Sequence, residues 1–121
     1  MANSGGFLTT HVLDTARGVP ASGINIELFE VNDRQHTKIG SATTNNDGRT
    51  DTPILEQEHF GVGQYELVFH VGDYLRGSTP HLEAPLFLDL IPIRFGINDA
   101  TSHYHVPLLL SPFGYSTYRG S

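Results

Sequence analysis

Residues 7–14 read Phe7-Leu8-Thr9-Thr10-His11-Val12-Leu13-Asp14, and their alternation decides the fold class. Leu8, Thr10 and Val12 share one face and Thr9, His11 and Leu13 the other, which is the period of a half-buried strand. If Val12 enters a core, His11 points away from it. Arg17-Gly18-Val19-Pro20 then breaks the pattern. Ile24, Ile26 and Leu28 alternate with Asn25, Glu27 and Phe29, which predicts a second strand running to about Val31. A polar loop over 32–36 should follow.

The same period recurs along the chain. A strand is expected over 38–44, running into Asn45-Asn46-Asp47-Gly48, whose Asp-Gly pair is a strong hairpin signal because both residues accept positive φ. A short strand over 49–53 should follow, then a helical turn or loop over 54–59. Tyr65, Leu67, Phe69 and Val71 share a face within 64–71. The segment 71–77 is the one credible short helix, ended by Gly77 and kept short by Pro80. Further strands are expected over 86–94, 104–110 and 115–119. Pro92 and Pro107 fall inside these runs, which favours edge positions or bulges there. Short strands at intervals of roughly ten residues indicate an all-β fold. The expectation is an eight-stranded two-sheet sandwich with Greek-key-type connections and one short helix.

Composition narrows the function. The chain has 121 residues, 7 Lys+Arg against 13 Asp+Glu, a formal charge of −6, seven histidines and no cysteine. This length supports one domain, over residues 1–121. A chain of this size buries somewhat under about 70% of its unfolded surface, so covering a further face in an oligomer would help it. The absence of cysteine excludes disulfide scaffolds, thiolate nucleophiles, zinc fingers and iron–sulfur sites. Basic residues spread singly through an acidic chain argue against a nucleic-acid partner. The opening MANSGGFLTT lacks a basic segment followed by an apolar run, no stretch reaches the roughly eighteen apolar residues of a span, and the terminal RGS is not SKL. A cytoplasmic protein with no membrane partner is expected.

Acid–base chemistry must then draw on histidine, whose unperturbed pKa lies nearest neutrality. His103-Tyr104-His105 sets two imidazoles at i and i+2, on one face of a strand. This HxH pattern has three readings: a solvated strand end, a metal half-site that His11 could complete, or a general base with a neighbour. Val106, Leu108 and Leu110 should fill the core. His36, His59, His70 and His81 read as solvated or locally bonded. The C-terminal run Tyr118-Arg119-Gly120-Ser121 is a dense polar set for a position where chains usually fray. No nucleotide cradle, GxSxG elbow, HExxH motif or EF-hand loop is present.

Three segments carry a family resemblance: LTTHVLD at 8–14 with RGVPA after it, TNNDGR at 44–49, and HYHVPLLLSPFGYSTYRGS from 103 onward. Over essentially its whole length the chain resembles the transthyretin family, specifically the enzyme branch of 5-hydroxyisourate hydrolases, of which the terminal YRGS is the most specific mark. The resemblance implies a homotetramer of eight-stranded sandwiches with an active site at each mouth of a central channel. Carried over by position, its catalytic residues are His11, Arg49, His105 and Ser121. Its substrate-binding residues are His11, Arg49, Tyr118, Arg119, Gly120 and Ser121, with His103 as a neighbour of the site.

The reaction so implied is hydrolysis of 5-hydroxyisourate to 2-oxo-4-hydroxy-4-carboxy-5-ureidoimidazoline, on the route from urate to allantoin in purine catabolism. His105 or His11, as a neutral imidazole, would activate water, and the other would position that water or protonate the leaving nitrogen. Arg49 would hold the substrate's carbonyl oxygens with its planar, always-charged fork. Tyr118 and Ser121 would hydrogen-bond substrate or water, and Arg119 would anchor the tail or add to charge stabilisation. No metal and no cofactor is implied.

Overall fold

In a computed structural model, which describes residues 5–120, the chain builds two four-stranded sheets. The strands are β1 (Phe7–Asp14), β2 (Val19–Pro20), β3 (Asn25–Asn32), β4 (Gln35–Thr43), β5 (Gly63–His70), β6 (Leu90–Ile97), β7 (His103–Ser111) and β8 (Gly114–Thr117). One helix, α1 (Gly72–Ser78), and a 3-10 turn over Gln57–His59 complete the elements. The first sheet has the order β2-β1-β7-β8 and the second β4-β3-β5-β6. The chain thus leaves the first sheet after β2, builds the whole second sheet, and returns for β7 beside β1. That return makes β1 and β7 parallel.

The alternation read from the sequence is the packing that forms. Leu8, Val12, Ile26, Leu28, Leu67, Phe69, Leu108 and Leu110 are fully buried between the sheets, with Val106 and Tyr104 nearly so. Burial of this kind contributes about 25 cal/mol per Å² of apolar surface and is the main force holding the layers together. Among the described residues, the buried polar side chains Thr10, Asp14 and Thr44 each have a partner. Thr10 Oγ1 donates to the Val106 carbonyl at 2.7 Å, and Thr44 Oγ1 donates to the Ala21 carbonyl at 2.7 Å. Asp14 accepts from Tyr74 of α1 at 2.7 Å, tying the helix to the end of β1.

Several boundaries differ from the sequence reading. The segment expected as a strand over 49–53 is not one; instead it bows away from β1 between two anchor points. Val12 N–H donates to the Gly48 carbonyl at 2.8 Å, and Leu8 exchanges main-chain bonds with Ile54 and Leu55 at 3.0 and 2.9 Å. Between those points the Thr50 hydroxyl turns the chain on itself by donating to the Thr52 carbonyl, and Pro53 has no N–H to offer. The eighth strand is instead Val19–Pro20, paired with Asp14 and Leu13, where a break was expected. The supposed loop over 32–36 is a tight hairpin with Asn32 opposite Gln35 and Asp33 at φ 54°, so His36 lies in β4. β6 starts at Leu90, later than expected, because the Asp89 carbonyl is engaged by the N–H groups of Val71 and Gly72 at the start of α1.

Pro92 lies on an edge strand, as anticipated. Pro107 does not: β7 is interior, between β1 and β8. Proline is tolerated there because pairing with β8 ends at Leu108↔Thr117, and the Pro107 carbonyl accepts instead from the Thr117 hydroxyl at 2.7 Å. Among the described residues, no helix is long and apolar enough to cross a membrane.

Candidate active site

The register of the β1–β7 ladder decides which side chains meet. Phe7 lies opposite His103, Thr9 opposite His105, and His11 opposite Pro107. Cross-strand partners share a face of the sheet, and their diagonal neighbours are within reach of ring side chains. Phe7, Thr9, His11, His103 and His105 therefore form one half-buried group on the face turned away from the core. The His11 and His105 ring centroids are 6.5 Å apart, and those of His103 and His105 are 6.1 Å apart.

Arg49 comes to this face on the 45–49 loop, whose shape is set by Asn45. Asn45 Oδ1 accepts from the main-chain N–H groups of Asp47 and Arg49 at 2.9 and 3.2 Å, and the Asn45 N–H donates to the Arg49 carbonyl at 2.7 Å. Gly48 makes the close approach to β1 possible. It sits at φ +77°, and a Cβ there would collide with the Val12 carbonyl oxygen. The result is a main-chain bridge between His11 and Arg49.

Protonation follows from these neighbours. His11 Nε2 lies 2.9 Å from the Asp47 carbonyl oxygen, which can only accept, so Nε2 carries the hydrogen and Nδ1 is the basic nitrogen of the neutral ring. Burial first, and then the Arg49 charge, hold His11 below the ordinary imidazole value, against the opposing pull of the Asp47 carbonyl and carboxylate. His105 is held low as well, by burial and then by Arg49, His103 and His11. Both rings are consequently kept in the neutral form, the form that can accept a proton.

The tail is fixed from β7. The Gly120 N–H donates to the His105 carbonyl at 2.7 Å. A Cβ on Gly120 would stand 2.8 Å from His105 Cδ2, so the chain lies directly against the ring. Arg119 is not brought to the imidazole face; its guanidinium carbon sits 3.9 Å over the ring of Tyr104, which alternates to the core side of β7. The Tyr104 hydroxyl in turn accepts from the Asn98 and Asp99 N–H groups at 3.0 and 3.1 Å. Asp99 is pulled down to about 2 by bonds from Thr101 and Ser102, with a smaller contribution from the Arg119 charge. Tyr118 is 58% exposed. Ser121, expected among the catalytic and binding residues, lies outside the described residues.

Of the expected site, the structure brings together His11, Arg49, His105, His103 and Gly120. The other histidines stand elsewhere: His36 accepts from Arg94, His70 bonds Glu27 at 2.7 Å, and His59 and His81 are exposed. Three groups that organise the site went unread in the sequence: Thr9, between the imidazoles; Asn45, which shapes the arginine loop; and Phe7, stacked on His103 with centroids 4.2 Å apart. Thr9 shares the face of His11 by simple alternation, so that signal was present. A cleft of about 620 Å³ opens beside Phe7, but its walls are Thr52, Pro53, Glu56, Gln57 and Glu58, so chemistry rather than volume locates the site. Among the described residues, no group of three or more His, Cys, Asp or Glu is arranged to hold a metal ion.

A two-sheet sandwich with this imidazole face belongs to a defined class, and the chain is a member of the HIUase/Transthyretin family, whose model matches residues 8–120. A relative from Rhizobium meliloti (strain 1021), named 5-hydroxyisourate hydrolase 2, is 59% identical over 116 residues, covering 96% of this chain and 97% of its own. Among solved structures, the 5-hydroxyisourate hydrolase of Klebsiella pneumoniae superposes with a TM-score of 0.77 at 30% identity, covering 95% of this chain and 99% of that one. The structure titled (S)-allantoin synthase superposes with a TM-score of 0.93 at 45% identity over 99% of this chain. This chain spans 45% of that longer protein.

Proposed function

We propose that this chain is a hydrolase that opens 5-hydroxyisourate to 2-oxo-4-hydroxy-4-carboxy-5-ureidoimidazoline in urate degradation. The observation that carries the reading is the convergence of two half-buried imidazoles held neutral, His11 and His105, with the exposed permanent cation Arg49 beside them. Water activated by His105 adds to the ring carbonyl, and Arg49 holds the oxygen on which negative charge develops. His11, with its hydrogen committed to the Asp47 carbonyl, presents Nδ1 to orient the attacking water. Gly120 sets the tail against His105, with Tyr118 and Ser121 contributing hydrogen bonds to substrate and Arg119 anchoring the tail on Tyr104.

The same reading includes a homotetramer that covers this face, and a cytoplasmic location. Support for assembly comes from β8, an edge strand with three of its four residues exposed, among them Tyr115 at 46%. Excluding water from the face would strengthen each interaction of Arg49 with a developing oxyanion. The test is to generate hydroxyisourate with urate oxidase and follow its decay with and without this protein, while sedimentation reports the assembly. Accelerated decay by a tetramer is expected; decay at the spontaneous rate would refute the reading.

A further inference from the structure

His103 takes no part in the chemistry above, yet its ring is fixed on two sides. Phe7 stacks on it with planes 12° apart, and its Nε2 lies 2.6 Å from Thr9 Oγ1. The same hydroxyl lies 2.8 Å from His105 Nδ1. A hydroxyl carries one proton and two lone pairs, so in a continuous chain it accepts from one ring and donates to the other. Reversing the chain shifts two protons toward His103, and it is coupled to a third proton taken up at His105 Nε2, which leaves His105 neutral and His103 the imidazolium. The two directions thus leave His105 Nε2 in opposite states, a bare lone pair in one and an N–H in the other.

We propose that Thr9 and His103 form a proton relay behind His105, so that His105 serves as base and then as acid at the single nitrogen Nε2. The relay rests on the hydrolytic reading above. In the resting state, His105 Nδ1–H donates to Thr9, and the Thr9 hydroxyl donates to His103 Nε2. As the water oxygen bonds to the carbonyl carbon, the carbonyl π pair moves onto oxygen and one water proton passes to His105 Nε2. The Nδ1 proton moves to Thr9, and the Thr9 proton moves to His103, which becomes the imidazolium. When the carbonyl re-forms, the C–N bond breaks with its electron pair on nitrogen, and His105 Nε2 gives that nitrogen its proton. The His103 proton then returns through Thr9 to Nδ1. One water has been divided between carbon and nitrogen, and all three side chains are restored.

Geometry explains why the charge should leave His105. A cation on that ring would face Arg49, His11 and His103, each of which opposes it. His103 lies at the far end of the row, across Phe7 and away from the Arg49 loop bridged to His11. Moving the proton there keeps it from competing with Arg49 for the developing oxyanion.

Thr9→Val keeps the shape of the side chain and removes the hydroxyl. It should lower kcat on enzymatically generated hydroxyisourate by about 100-fold, the low end of general acid–base effects, with KM little changed. Thr9→Ser should restore most of the loss, which a purely packing role for the methyl group would not. In parallel, ¹⁵N NMR of the imidazoles reads the chain without any assay. The ¹⁵N shifts should place the His105 proton on Nδ1, with Nε2 bare, in the unsubstituted protein, and that tautomer preference should be lost in Thr9→Val. Wild-type kcat in Thr9→Val, or a His105 tautomer unchanged by it, would overturn the relay. Absence of hydrolysis by the unsubstituted protein would instead overturn the hydrolytic reading, and the NMR comparison would still decide the hydrogen-bonded chain.

Discussion

Gly120 and His105 are joined through the main chain, Gly120 N–H donating to the His105 carbonyl at 2.7 Å, and the absent Cβ of Gly120 leaves the space that the His105 ring occupies. The requirement is for room, since an added Cβ would stand 2.8 Å from Cδ2 and 3.3 Å from Cβ and Cγ of the histidine. Gly120→Ala should therefore rotate the ring or lift the tail. Displacements near 1 Å at a reacting group can cost about 100-fold in rate. We expect kcat/KM to fall by roughly 10- to 100-fold with the thermal midpoint little changed, as read by steady-state kinetics and calorimetry.

Gly48 should behave differently, because its neighbour is main chain. At φ +77° and against the Val12 carbonyl, an alanine meets both backbone strain and an atom that cannot swing aside. Strain of this kind costs on the order of 1–3 kcal/mol. Gly48→Ala is expected to lower stability by at least that amount in urea unfolding, and to displace Arg49 from His11 with loss of turnover.

The pH dependence follows from the lowered imidazoles. A base whose folded pKa lies below the ordinary 6.5 stays active as pH falls past 6.5, and kcat/KM declines only on passing the lowered value. Folding stability has the matching sign. Between 6.5 and the folded value the unfolded chain binds more protons, so stability is lost as pH falls through that window. Arg49→Gln removes a positive neighbour of both rings and should move their titrations to higher pH, measurable by NMR even where turnover is poor.

Tyr104 joins two parts of the site through different groups. Its hydroxyl accepts from two loop N–H groups and donates to Asn98 Oδ1 at 2.9 Å, while its ring carries Arg119. Tyr104→Phe removes only the first set, and we expect a loss of about 1–3 kcal/mol in stability with hydrolysis retained. Tyr104→Leu should additionally release Arg119 and the tail, and lower kcat/KM.

Much of this was legible before the structure. The period of two in 7–14, 24–31 and 64–71 assigned the core faces correctly, because in a sandwich burial alone dictates alternation. The 49–53 segment misled because the chain bonds to β1 only on either side of it, at Gly48 and at Ile54 and Leu55, and β2 was missed because two residues carry no period. At the site, HxH and His11 signalled one face, whereas their union depended on β1 and β7 pairing in parallel with Thr9 opposite His105, a register between segments about 95 residues apart. Arg119 lies beyond the end of β8, where no strand period is available to place it, and its guanidinium sits over the Tyr104 ring.

The central claim is that His105 is the base, and His105→Asn in the coupled urate oxidase assay tests it most directly. Asparagine keeps a polar side chain of smaller volume, and circular dichroism and sedimentation confirm that the fold and assembly persist. A loss of about 10²- to 10⁴-fold in kcat is predicted, the usual worth of a general base. Turnover within about twofold of the unsubstituted protein, with the same assembly, would contradict it.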